Sequence, residues 1–202
     1  SGVKKFKLTG NLVERGLTES ISGDGTEDVG VTTAATLGSL PTQKITTVVR
    51  GSAVVANRNV SLDSIKEMHL DSNNNPIALI SNEYNDENGY LYLLTTSITP
   101  IPQTARINDS GSLYTADRYR TNTSTGSTLV GAYVASYVIQ EDTATTALFV
   151  LTGTLKDTAG KTLMTETERY RITQSGLIAK ISKTVVSYSS NFTAVTTLNT
   201  NY

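Results

Sequence analysis

The chain contains no cysteine, no tryptophan and a single histidine, His69, among its 202 residues. Without cysteine there is no disulfide framework, no thiolate nucleophile and no cysteine-based metal site. One histidine is too few for a zinc site built from His and Cys ligands. A Ser-His-Asp triad would have to use His69, and the Gly-x-Ser-x-Gly pattern that marks such a nucleophile does not occur. We therefore expect no metal, no cofactor and no catalytic residue.

The chain also has little net charge and no long apolar run. Charged residues make up 17% of the chain and the formal net charge is -1. A nucleic-acid binder that relies on phosphate contacts needs a basic excess, so we expect no nucleic-acid partner. No segment approaches the roughly 18 apolar residues of a membrane-spanning helix, so no transmembrane segment is predicted. The opening Ser1-Gly2 resembles the remnant of a tag, and any leader is taken to have been removed.

Small polar residues are what the chain has in abundance. It contains 33 Thr, 20 Ser and 14 Asn, together a third of all residues. Threonine suits a half-exposed strand face, whereas Ser and Asn favour turns over helix interiors. This balance is typical of secreted, periplasmic and cell-surface proteins. We therefore expect an extracytoplasmic location, as part of a bacterial secreted protein or lipoprotein.

The sequence pattern predicts two regions of the chain. Residues 1–43 comprise a first strand at 3–13 and then a stretch, 16–43, that is rich in Gly, Thr and Ser and is interpreted as a long loop or extension. Residues 44–202 form a predicted β-meander domain, in one structural unit with the first strand. Residues 61–69 fit a short helix, through capping-box and three-residue spacing, as well as they fit a short polar strand.

From Asp71 onward, turn signals rich in Asn, Asp, Ser and Gly recur between strand-like segments. The predicted strands are 77–84, 90–96, 113–121, 128–140, 146–155, 162–173 and 177–188. Regular turns between short strands indicate an antiparallel meander that forms a barrel or a sandwich. The predicted fold class is therefore all-β, with at most one short helix near 61–69.

Two stretches of this meander resemble each other. An acidic turn with Gly leads into a strand that ends in Asp117-Arg-Tyr-Arg in one copy and in Glu168-Arg-Tyr-Arg in the other. Either a β-unit was duplicated or the same strand chemistry arose twice. Since alternate residues of a strand share a face, Asp117 lies beside Tyr119, and Glu166 and Glu168 lie beside Tyr170.

These five residues are the candidate ligand-binding residues. If their face lines a barrel interior, the carboxylates and phenol would bind a polar ligand or supply acid–base chemistry through a raised carboxyl pKa. If the face is exposed, they would belong to cross-strand Arg–Glu pairs on an ordinary sheet surface.

The segment from Leu151-Thr-Gly-Thr-Leu to Arg169-Tyr-Arg-Ile-Thr-Gln-Ser-Gly-Leu-Ile-Ala-Lys-Ile181 resembles the last hairpins of nuclear transport factor 2-like (NTF2-like) cone folds. The likeness covers about thirty residues and has no diagnostic motif. The three N-terminal helices of such folds have no counterpart in this sequence. The resemblance implies a related enzyme that would use carboxylates.

Three functions therefore stand as alternatives. The leading one is a non-enzymatic β module with a binding or structural role, whose partner is a protein, a glycan or a small apolar or polar ligand. The second is a β-barrel that binds a small ligand in a cavity lined by Tyr170, Glu168 and Glu166. The third is the carboxylate enzyme that the cone-fold resemblance implies.

Overall fold

A computed structural model describes residues 2–14, 16–82, 89–94, 98–99, 104, 106–122, 126–176, 178–189 and 192–199. Within these residues all regular structure is β, in fourteen strands without a helix. The strands are β1 (Gly2–Glu14), β2 (Leu17–Val29), β3 (Thr33–Leu37), β4 (Leu40–Val55), β5 (Arg58–Ser61), β6 (Ser64–Leu70), β7 (Pro76–Asn82), β8 (Gly89–Leu94), β9 (Ser110–Asn122), β10 (Gly126–Thr143), β11 (Thr146–Lys156), β12 (Thr162–Thr173), β13 (Ile178–Tyr188) and β14 (Phe192–Asn199).

The strands form a closed antiparallel barrel of twelve strands, with β3 and β5 as additions. From β6 to β14 each strand pairs with the next, and β14 pairs with β1 to close the ring. β2 and β3 pair one after the other with one edge of β4, while β5 and β6 pair with its other edge. β3 and β5 therefore continue barrel strands that are briefly interrupted. The predicted all-β meander is confirmed, in its barrel form.

The expectation of a long loop at 16–43 is wrong, because β2, β3 and the start of β4 occupy that stretch. They form one long hairpin whose pairing runs from Ile21 opposite Val55 to Leu37 opposite Leu40. Gly23 and Gly25 reflect close strand approach, not a loop. A Cβ at Gly25, for example, would lie 2.6 Å from the Phe6 ring of the neighbouring strand.

Of the two structures considered for residues 61–69, the short strand is confirmed and the helix is wrong, since β5 ends at Ser61 and β6 runs from Ser64 to Leu70. β6 pairs with β4 on one side and β7 on the other, so its backbone groups are satisfied in the sheet. The apolar residues spaced three apart do not mark one buried face, because Ile65 is 44% exposed and Met68 is 39% exposed. Pairing on both edges outweighs the weak local helix signal.

The later strands confirm most of the turn-based prediction. β9 to β13 follow the predicted segments closely, and the structure adds β14. The turn predicted at 85–89, between the strands predicted at 77–84 and 90–96, lies outside the described residues except for Gly89, which begins β8. The described part of the chain has a closed barrel and no helix, so the resemblance to cone folds does not extend to the architecture.

Alternate side chains point into the barrel lumen, where the buried apolar residues form three clusters. One lies on β1, β2 and β4, and the other two involve strands β8 to β12. Their buried members are Leu8, Ile21 and Ala53; Leu113, Ala135, Tyr137, Ile139 and Phe149; and Tyr90, Tyr92, Ala116 and Leu155. The lumen-facing side chains of β12 and β13 are partly polar, and they form the candidate site.

Candidate functional site

The two Arg-Tyr-Arg segments present opposite faces to the lumen. On β9 the guanidinium of Arg118 is buried, and its carbon lies 3.6 Å from the centre of the Tyr90 ring. Strand alternation therefore directs Asp117 and Tyr119 to the outer face. On β12 the alternation is reversed, and the tyrosine points into the lumen. Tyr170 lies opposite Phe149 and packs against the buried cluster around that ring.

The structure thus brings three of the five candidate residues together and separates the other two. Glu166, Glu168 and Tyr170 share the lumen face of β12, opposite Gly153, Leu151 and Phe149 of β11, in that order. Asp117 and Tyr119 lie on the outer side of the wall, on β9, and are not part of this group.

Two lysines of β13 complete a polar cluster with these carboxylates. The ammonium nitrogen of Lys180 lies 2.7 Å from Oε1 of Glu168, and that of Lys183 lies 3.7 Å from the same oxygen. Lys183 also contacts Glu166 Oε1, and the Tyr170 hydroxyl donates a hydrogen bond to Glu168 Oε2. The four charged side chains are only 16–20% exposed. We call Glu166, Glu168, Tyr170, Lys180 and Lys183 the lumen cluster.

A bulge in β13 brings both lysines to the same face. The pairing of β12 with β13 runs from Glu168 opposite Lys183 to Tyr170 opposite Lys180, so Ile181 is an extra residue. Residues three apart on a regular strand point to opposite sides. The extra residue shifts the alternation by one, and both ammonium groups reach the lumen.

Charges from other strands act on the lumen cluster. The pKa of Lys183 is lowered to about 7, mainly by burial and also by the positive charge of Lys66 on β6, while Glu27 on β2 opposes the shift. Burial also raises the pKa of Tyr114 and Tyr133, with Glu168 acting in the same direction. These phenols therefore stay protonated over the physiological pH range.

The lumen cluster borders an open cavity of about 370 Å³. Its lining consists of Lys4, Glu27, Tyr170, Ile178, Ala179 and Lys180. Lys4 and Glu27 lie opposite each other in the pairing of β1 with β2. The cavity therefore lies at the end of the barrel where β1 and β13 begin, and we call it the mouth cavity.

A larger recess of about 440 Å³ crosses β1, β2 and β4. Most of its lining is exposed and points to the outer face, including Lys7, Thr9, Ser22 and Asp24. It contains none of the candidate residues and has no buried polar group among its lining. Because the mouth cavity is lined by members of the lumen cluster and this recess is not, we place the candidate site at the mouth cavity.

The described residues were also searched for metal-ligating side chains that lie close together. Among them, no three His, Cys, Asp or Glu side chains are grouped so that they could hold a metal ion. In the same part of the chain, no helix has both the length and the apolar character needed to cross a membrane.

Sequence reasoning missed the cationic half of this site. Lys180 and Lys183 were not candidates because their spacing disagrees with a period of two, and only the bulge at Ile181 unites them. Lys66 and Glu27 approach from strands that are distant in sequence.

No family model, no curated protein and no solved structure matches this chain.

Proposed function

We propose that the chain is a non-enzymatic binding module whose barrel takes up a small ligand through the mouth cavity. The observation that carries this proposal is the position of Tyr170 and Lys180, which belong to the lumen cluster and also line the cavity. Small-molecule sites typically enclose roughly 300–1,000 Å³ and combine an apolar wall with a few fixed polar groups. A cavity of about 370 Å³ falls within that range.

The energetics of the lumen cluster favour binding over a purely structural role. Removing carboxylates and ammonium groups from water costs several kcal/mol per ion, which their mutual attraction offsets only in good geometry. Well-packed apolar residues would hold the wall at least as well. In contrast, Glu168 holds both the Tyr170 hydroxyl and the Lys180 ammonium group in place. Polar groups fixed in this way are suited to orient a ligand at the mouth cavity.

Three aromatic probes of similar size test this proposal. Benzoate, benzamide and benzylammonium would be titrated into the protein and followed by ligand-observed NMR. We expect at least one of them to bind the wild-type protein and to lose binding in Ile178→Trp. Ile178 is 61% exposed and lines the cavity, so an indole there fills the mouth without disturbing the core.

Leu129→Trp serves as the matched control. Leu129 is 48% exposed, lies near the start of β10 and does not line the mouth cavity. We expect it to bind the probes as the wild type does. The proposal is overturned if none of the probes binds, or if Ile178→Trp binds them as tightly as Leu129→Trp.

We also propose that the module works outside the cytoplasm. The support is compositional: Thr, Ser and Asn make up a third of the chain, and there is no cysteine. Fractionation of source cells, with an antibody against the barrel, tests this. Recovery in the membrane-associated, periplasmic or medium fraction agrees with the proposal, whereas recovery in the cytosol contradicts it.

A further inference from the structure

Lys183 on β13 and Glu166 on β12 are in direct contact inside the barrel. Glu168 lies opposite Lys183 in the strand pairing, so Glu166 is its diagonal neighbour, within reach of a long side chain. The side-chain nitrogen of Lys183 contacts Oε1 of Glu166 and lies 3.7 Å from Oε1 of Glu168. One amine therefore faces two carboxyl groups.

This contact lies in a place that holds little water. The side chains of Lys183 and Glu166 are 20% and 18% exposed. The pKa of Lys183 is lowered to about 7, mainly by burial, with Lys66 adding to the shift and Glu27 opposing it. At neutral pH a large share of the molecules therefore carries an uncharged amine, and a desolvated lysine of this kind is a nucleophile.

We propose that Lys183 and Glu166 join in an amide bond, an intramolecular cross-link between β12 and β13, with Glu168 as the proton carrier. The lone pair of the uncharged nitrogen attacks the carboxyl carbon of protonated Glu166, and the new N–C bond forms. Glu168 accepts a proton from that nitrogen and passes it to the departing hydroxyl group. The C–O bond breaks, and one water molecule leaves.

Two features of the fold favour the amide over the ion pair. Strand pairing holds the amine and the carboxyl group side by side, which gives them a high effective concentration. The amide also replaces two poorly solvated charges with one neutral group, and charges in such a place are costly. The reaction needs no ligand, so its outcome is independent of the binding proposed above.

Two other Lys–Glu pairs provide comparisons within the same chain. Lys180 lies 2.7 Å from Glu168 at similar exposure, but Glu168 would there have to be attacked and carry the proton at once. Lys44 lies 2.7 Å from Glu67, with side chains that are 27% and 31% exposed, so water keeps both groups charged. We expect no amide bond in either pair.

Mass spectrometry of the wild-type protein tests the cross-link directly. Under denaturing conditions the intact mass should be lower than the sequence mass by one water molecule. Trypsin cleaves after Lys and Arg but not after a lysine that carries an amide. The digest should therefore contain a branched peptide that joins residues 162–169 to residues 181–202. Fragmentation of that peptide should locate the bond between Glu166 and Lys183.

Two variants test the roles of the side chains. Lys183→Met keeps a side chain of similar length without the amine and should have its full sequence mass, whereas Lys44→Met should still lose one water. Glu168→Gln retains both reacting groups and removes the proton carrier. After cell-free synthesis its linked fraction should grow about 100-fold more slowly than that of the wild type, a typical general acid–base contribution. Glu67→Gln should react at the wild-type rate.

The opposite results are equally clear. A wild-type mass equal to the sequence mass would mean an ion pair only, and the cross-link would be wrong. It would also be wrong if the missing water mapped to a cyclic imide at an Asp or Asn residue, or to a bond between Lys180 and Glu168. A linked fraction that grows equally fast in Glu168→Gln and Glu67→Gln would overturn the proton-carrying role of Glu168. Should Glu168→Gln fail to fold, the wild-type peptide map still decides whether the bond exists.

Discussion

Lys180 and Lys183 lie three positions apart on β13, yet their ammonium groups approach the same oxygen of Glu168, at 2.7 and 3.7 Å. The extra residue Ile181 makes this possible, because it turns one lysine back toward the lumen. Glu168 is therefore the residue on which the lumen cluster depends. Its other carboxylate oxygen accepts the Tyr170 hydroxyl, so one side chain joins three partners.

Glu168→Gln is expected to destabilise the barrel, because it leaves two poorly solvated ammonium groups near an uncharged amide. The free energy of unfolding, measured by urea denaturation at pH 7, should fall by about 2–4 kcal/mol, near the range for breaking a buried pair. Neutral Gln still accepts a hydrogen bond from Tyr170, so the loss reports mainly on the charge.

A second ion pair provides the control for this experiment. Glu67 lies 2.7 Å from Lys44 with side chains that are 31% and 27% exposed, on the wall of β4 and β6. Glu67→Gln should cost no more than about 1 kcal/mol, as for more exposed pairs. Equal losses in both variants would contradict a special role for Glu168.

Arg118 and Arg169 occupy the same place in the two Arg-Tyr-Arg segments and allow a direct comparison. Arg118 is buried over the Tyr90 ring, whereas Arg169 lies on the outer face of β12. Arg118→Gln should lower the free energy of unfolding by about 1–2 kcal/mol, because a desolvated cation–π contact is lost. Arg169→Gln should change it by less than about 0.5 kcal/mol. Similar losses of stability in the two variants, in thermal or urea denaturation, would contradict the finding that this arginine points inward on β9 and outward on β12.

The sequence predicted the meander because its turns depend on local chemistry. The turn at 157–160 is an example, since Asp157 Oδ1 accepts hydrogen bonds from the backbone N–H groups of Ala159 and Lys161. Gly160, at φ 82°, lies between these two residues. Local preferences of this kind can be read residue by residue. The arm of the hairpin formed by β2 and β3 was missed because glycines such as Gly23 and Gly25 fit against neighbouring strands, which no local pattern reveals.

Only part of the candidate site could be predicted from the sequence: which side chains share a face, but not which face points into the lumen. Alternation grouped Glu166, Glu168 and Tyr170 correctly on one face of β12. It could not tell which face pointed inward, and the same argument grouped Asp117 with Tyr119 on what proved to be the outer face of β9. A bulge moves every later side chain to the other face, and its position depends on tertiary pairing.

Gly153 on β11 faces the lumen beside Tyr133, and a methyl group there would overlap with the Tyr133 hydroxyl and ring. Gly153→Ala should therefore lower the free energy of unfolding by about 1–3 kcal/mol, as overpacking does. In a Tyr133→Leu background the same substitution should cost much less, since the ring that it meets is gone. A cost that is equal in both backgrounds, measured by urea denaturation, would show that backbone preference and not the Tyr133 contact excludes alanine.

His69 makes the stability of the barrel sensitive to mild acid. The ring is buried on β6, its Nδ1 lies 3.0 Å from the Thr42 hydroxyl, and burial lowers its pKa below the ordinary 6.5. The charged groups that act on it are Glu67, which opposes the shift, and Lys44, which adds to it. In the window between the lowered value and 6.5, the unfolded chain binds more protons than the folded one. Stability is therefore full above pH 6.5 and is lost as the pH falls toward the folded-state pKa.

The matched variant for this pH dependence is His69→Gln, which keeps a polar side chain near Thr42 and removes the titration. Urea denaturation of both proteins at pH 8, 6.5 and 5 should show the wild type losing more stability across this range than the variant. The carboxylates contribute equally to both curves, so the difference isolates the imidazole, the only one in the chain. Parallel curves would mean that the folded barrel accommodates the imidazolium, which the buried position next to Lys44 argues against.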